Sequence, residues 1–167
     1  MGRIYTLSGE NFTLGTGNVL AAIRTAADGL TAGGILRILR AWVVQNGTDT
    51  SDQLRAAIGT RDIAGTLTMT SATPRPHVLG GPASGISGST APAGTAARCG
   101  VNSSADSGGA YVDTITDNPN NLNGQLWVWT PEERPIVPPA TVLVLRLLAT
   151  PTGTTGFSCG ITFEELV

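Results

Sequence analysis

Short runs of Val, Leu, Ile and Thr, broken by Gly and Pro along the whole chain, give the punctuation of an all-β domain rather than of a helix bundle. Alternation is clearest towards the C-terminal end. In 141–149, Leu143, Leu145 and Leu147 share a face; in 156–166, Phe157, Cys159, Ile161 and Phe163 alternate with Ser158, Gly160, Thr162 and Glu164. Residues 34–45 (GILRILRAWVVQ) predict a long strand closing on Asn46-Gly47, a dipeptide suited to positive φ in a tight turn. A period of two puts Leu36, Ile38, Arg40, Trp42 and Val44 on one side and Ile35, Arg37, Leu39, Ala41 and Val43 on the other. Both sides are largely apolar, as expected of a strand covered twice or placed at a subunit contact, and Arg37 and Arg40 mark where each face meets water or a partner.

Further strands are expected at 3–7 and 10–14, before the turn-prone Gly15-Thr16-Gly17-Asn18, and at 111–116 and 124–130 around Asp117-Asn118-Pro119-Asn120-Asn121. Two segments read both ways. Residues 19–26 alternate loosely, yet Val19, Leu20, Ile23, Ala27 and Leu30 also have helical spacing, with Asn18 as N-cap and Gly29 as stop; 53–58 form a strand or, starting from Asp52, a short helix. From 74 to about 110 the chain is rich in Gly, Ser, Ala and Pro without any period, which predicts a long loop, either reaching towards neighbouring subunits or disordered. About eight strands in 167 residues predict one domain, 1–167, an antiparallel β-sandwich of jelly-roll type with long irregular loops.

Charge changes this picture in one respect. Charged residues make up 13% of the chain, and all ten cations are Arg, so amine-based covalent chemistry is absent and planar, bidentate contacts are favoured. A net charge of −2 argues against a nucleic-acid partner. The longest apolar stretch, 142–149, is interrupted by Arg146 and falls well short of the ~20 residues a membrane-crossing helix needs. Residues 1–5 lack a signal-peptide core, so synthesis and assembly in a cytoplasm are expected, and Cys99 and Cys159, without metal-type spacing, read as buried free thiols in preference to a disulfide.

Candidate chemistry is sparse. His77 is the sole His, in the Pro-rich tract beside Arg75, and reads as solvated; no Cys signature, metal cluster or phosphate loop accompanies it. Glu132 and Glu133 point apart in a Pro-bounded turn, and Glu164 and Glu165 close the last strand. The expectation is a protein that is not an enzyme and needs no cofactor or metal. Trp127 and Trp129, two apart on a strand, share a face. That face is either a core or interface anchor, the favoured reading, or a platform on which a glycan stacks.

The opening GRIYTLSGENFTL, the central TPRPHVLGG, the run LWVWTPEERPIVPPATVLVLRLLATP and the closing GITFEELV together resemble tailed-phage capsid decoration (cement) proteins, a group of small virion proteins. The resemblance rests on the T-P-R-P turn at 73–76, the P-E-E-R-P-hydrophobic turn at 131–137 and the F-E-E strand end at 163–165; the stretch 106–121 and the Ala-rich segment near Ala21 depart from that pattern. It implies a jelly roll on the surface of a virion shell, a homotrimer clamping neighbouring copies of the major capsid protein. Arg75 and Arg134, each beside prolines, would then present rigid guanidinium forks to that neighbour, with Arg37, Arg40, Trp127 and Trp129 completing the contact. A tail, neck or baseplate component and a carbohydrate-binding module are the competing expectations.

Overall fold

The structure is a computed structural model that describes residues 3–46, 53–91, 96–119 and 123–166. Gly47, Asp52, Asn120 and Asn121, which the sequence reading assigns to turns or a cap, lie outside the described residues. The strands are β1 (Arg3–Phe12), β2 (Val19–Arg24), β3 (Leu36–Gln45), β4 (Ala56–Arg61), β5 (Thr66–Ser71), β6 (Arg75–Pro76), β7 (Ser87–Gly88), β8 (Arg98–Ser107), β9 (Tyr111–Asp117), β10 (Gln125–Val128), β11 (Ile136–Val137), β12 (Val142–Leu147) and β13 (Phe157–Glu165). The described residues contain no helix, so 19–24 and 56–58 resolve as strands.

Two sheets pack face to face. The first runs β10-β3-β13-β1-β6, with β11 also on β3; the second runs β5-β8-β2-β12-β4-β9, with β7 beside β8. All strand pairs are antiparallel except the short β7–β8 contact. Their order is simple when read from the inside out. β5 pairs β8, β4 pairs β9, β3 pairs β10, β2 pairs β12 and β1 pairs β13, so the chain is one long hairpin of five nested pairs wound into a sandwich, which is jelly-roll winding.

Between the sheets lie Tyr5, Leu7, Ile161, Phe157 and Phe163 from one side and Leu20, Ile23, Ile58, Leu143 and Leu145 from the other, all buried. The alternation read in 141–149 and 156–166 is thus the core-facing alternation. A second, smaller cluster lies on the far side of the second sheet, where Val19, Ala22, Val142 and Val144 meet Leu67 and Met69 of β5. That is why β2 and β12 are buried on both faces.

The same far side holds a charged lock. Arg61, 5% exposed, donates from Nε and Nη2 to Asp106 Oδ1 at 3.1 and 2.9 Å and from Nη1 to the Asp62 carbonyl at 2.9 Å. The Tyr111 hydroxyl donates to the other oxygen of Asp106. Arg146 lies 4.0 Å from the Tyr111 ring centroid and holds Asp113 in a bidentate pair at 3.0 and 2.6 Å.

The structure corrects the sequence reading in three places. The loop expected over 74–110 ends at Arg98, because β8 is a ten-residue strand between β5 and β2. Its small residues are required by close approach: a Cβ on Gly100 would lie 2.8 Å from Met69 Cβ and 3.0 Å from the Thr70 carbonyl. β5, a strand the sequence reading passed over, supplies Leu67 and Met69 to the second cluster. The strands expected separately at 3–7 and 10–14 are one strand, β1, carried past an irregularity between Gly9 and Phe12 where Asn11 takes a φ of 48°.

Cys99 and Cys159 are both free and buried, and desolvation pushes each thiol from 9.0 up to about 12. The folded chain therefore keeps two protons that the unfolded chain gives up above pH 9, so this contribution to stability is complete below pH 9 and declines as pH rises towards about 12. Urea unfolding across that range is expected to show the decline, and Cys99→Ala with Cys159→Ala to reduce it. Asp106→Ala strands the buried Arg61 guanidinium and is expected to cost about 3 kcal/mol or more in the same measurement.

Candidate interaction surface

The face of the first sheet that points away from the core is organised by a β-bulge. Thr162 pairs with Arg40 but Phe163 pairs with Ile38, so Leu39 is an extra residue in β3. One extra residue flips every later side chain to the opposite face. Leu36 and Ile38 point inward before the bulge and Ala41, Val43 and Gln45 after it, leaving Arg37, Arg40, Trp42 and Val44 outside. Strict alternation separates Arg37 from Arg40; the bulge puts them on one surface.

Strand register then lays that surface out in rows. The first joins Ile136, Arg37, Glu164 and Ile4, with Arg37 Nη1 3.1 Å from Glu164 Oε2. The second joins Val128, Arg40, Thr162, Thr6 and Arg75 across five of the six strands. Along it Arg40 Nε donates to Thr162 Oγ1 at 3.1 Å, the Thr162 and Thr6 hydroxyls lie 3.0 Å apart, and His77 Nε2 is 2.7 Å from Thr6 Oγ1. The third joins Leu126, Trp42, Gly160 and Ser8. In it the Trp42 indole lies against the backbone of β13, where a Cβ on Gly160 would be 2.1 Å from Cζ2, and the Arg40 guanidinium is 5.6 Å from the ring centroid.

The middle of this face is a bonded polar strip, and its two ends are apolar. At one end Leu126, Val128 and Ile136 are 59, 67 and 52% exposed. At the other, beyond Ile4, the chain turns over 78–81, where the Gly81 N–H donates to the Val78 carbonyl at 2.8 Å and Gly80 takes the positive φ of 75° that the turn needs. Leu79 stands at the tip of that turn, 98% exposed, with Val78 exposed beside it.

Of the residues expected at an interface, the structure brings Arg37, Arg40 and Arg75 together on this face. It does not bring the tryptophans there. Trp127 is buried in the core and Trp129 is half-buried against it, so the two rings form no open platform for a sugar. Since β10 turns Trp127 inward, Leu126 and Val128 are the residues it shows outside. Arg134, in the segment leading into β11, is half-buried with its Nε enclosed and lacking an acceptor, and no bond joins it to the rows. His77 is no free loop histidine, since it caps the polar strip through Thr6. Neither Arg40 nor Arg75 meets a carboxylate among the described residues.

Among the described residues no group of three or more His, Cys, Asp or Glu side chains is placed to hold a metal ion, and no helix is long and apolar enough to cross a membrane. Comparison with protein families, with curated proteins and with solved structures finds no match to this chain.

Gly160→Ala forces the Trp42 ring off the sheet. The expected result is a shift in tryptophan fluorescence with a loss of about 1–3 kcal/mol in stability, measured by denaturant unfolding.

Proposed function

We propose that this chain is a non-enzymatic virion structural protein that decorates and stabilises a phage capsid by bridging neighbouring copies of the major capsid protein, and that the outer face of the first sheet is its contact surface. The observation that carries this reading is the pairing of exposed apolar ends, Leu126, Val128 and Ile136 on one side and Val78 and Leu79 on the other, with an arginine-bearing strip between them. Apolar groups supply affinity and the strip supplies register. Arg40 and Arg75, which meet no carboxylate among the described residues, fit a partner that offers acidic side chains or carbonyls. The resemblance in the three turn and strand-end motifs supplies the identity of that partner.

Bridging also accounts for the shape. A rigid sandwich that presents two apolar patches at opposite edges of one sheet can rest on two neighbouring subunits at once, burying roughly 800 Å² per partner and gaining avidity from the second contact. Association as a trimer would multiply these contacts and cover sheet edges such as that of β9.

Replacement of Leu126 and Val128 together by Asp tests the reading. Because both side chains are exposed, the stability of the free protein is expected to stay within about 0.5 kcal/mol. Co-sedimentation with empty shells is expected to weaken roughly a hundredfold, the equivalent of about 3 kcal/mol of lost apolar burial. Undiminished co-sedimentation would remove this face from the contact. Electron microscopy of particles carrying labelled protein separates capsid from tail, since a tail or baseplate component would label the tail alone.

A further inference from the structure

The far side of the second sheet carries a second row of arginines. Register aligns Arg98 of β8, Arg24 of β2, Val142 of β12, Arg61 of β4 and Tyr111 of β9. Arg61 and Arg24 are equally deep, 5 and 3% exposed, but their surroundings differ. Arg61 is satisfied by Asp106 and the Asp62 carbonyl, whereas Nε and Nη1 of Arg24 are buried with no acceptor among the described residues. Directly across the strand pair from Arg24 stands a second cation, Arg98, bonded to the Ser87 hydroxyl and the Ala97 carbonyl. Neither is within ion-pair distance of a carboxylate among the described residues.

A guanidinium withdrawn from water without an acceptor is costly, and a like charge on the neighbouring strand adds to the cost. An oxyanion between the two forks removes both penalties, because each fork offers parallel N–H donors to a pair of oxygens. A cavity of about 360 Å³ opens beside Arg98 at this end of β2 and β8, lined also by Ala26, Asp28, Thr31 and Ala97; Arg24 is not part of its lining and lies one strand pairing away, across from Arg98. The one carboxylate on its wall, Asp28, is already engaged, its Oδ1 accepting from the Leu30 and Thr31 N–H groups and from the Thr31 hydroxyl.

We propose that Arg24 and Arg98 form a binding site for an oxyanion, a carboxylate or a phosphate supplied from outside the chain. The site is on the opposite sheet from the contact surface described above and does not depend on it. Thermal unfolding of the full chain at fixed ionic strength tests it, with chloride as reference and inorganic phosphate or succinate as probes. The wild type is expected to gain a few degrees in Tm, saturating with probe concentration, as ligand binding to the folded state requires. Arg24→Met is expected to abolish that gain, and Arg98→Gln, at a half-buried position that tolerates change, to reduce it even if Arg24→Met fails to fold. A gain with phosphate alone assigns a phosphate ligand, and one with succinate alone assigns a carboxylate such as an acidic side chain of a partner. No gain in the wild type with either probe, or equal gains in the wild type and Arg98→Gln, would overturn the site.

Discussion

β13 holds the molecule together by lying between β1 and β3 along almost its whole length, and the side chains it sends inward, Phe157, Cys159, Ile161 and Phe163, are the middle of the main core. Backbone hydrogen bonds fix its register on both sides, and register decides which residues face solvent. The extra residue at Leu39 matters for this reason. It keeps the core-facing alternation of β13 unbroken while changing the phase of β3, so that one strand contributes Ile38 to the interior and, two residues later, Arg40 to the surface. The polar strip from Arg40 through Thr162 to Thr6 exists because β1, β13 and β3 are locked in that alignment.

Much of this organisation is legible in the sequence, and the parts that are not have physical reasons. The strand at 142–147 announces itself as a run of Val and Leu, and that at 157–165 because large apolar residues alternate with small or polar ones; the jelly-roll sandwich follows from the number and spacing of the strands. β8 does not announce itself. Its residues are small since β2 and β5 press on it from either side, and a strand made of Cys, Gly, Val, Asn, Ser and Ala has the composition of a loop. β5 hides for a related reason, as Leu67 and Met69 among threonines face a cluster too small to leave a strong periodic trace. The bulge has no Gly or Pro to mark it, so the shared face of Arg37, Arg40 and Trp42 can be read only from three-dimensional pairing. Trp127 illustrates the limit of a two-residue period, which groups residues by face without saying which face is inside.

The exclusive use of arginine fits the way this fold handles charge. Apart from Arg134, the buried and half-buried cations lie in cross-strand rows, where a planar fork can reach two oxygens of one acid, as Arg146 does with Asp113, or a ring face, as Arg146 also does with Tyr111. A lysine ammonium, a compact point charge, would give up the bidentate fork and the flat stacking on a ring. Rows of this kind carry polar groups through a sheet whose flanks are otherwise Val, Leu, Ala and Thr, and they give a weakly charged protein local charge patterns that are fixed in position.

The nested winding of the chain has a kinetic consequence. The innermost pair, β5 with β8, joins residues some tens of positions apart, as in Thr66 with Ser107, whereas β1 with β13 joins Arg3 to Glu165, nearly the whole length of the chain. Closure of the longer loops carries the larger entropic cost and cannot begin before β13 has left the ribosome. During synthesis β1 therefore waits with only the two-residue β6 as a sheet neighbour, so the rate at which the last strand arrives sets how long an unpaired edge is exposed to other chains.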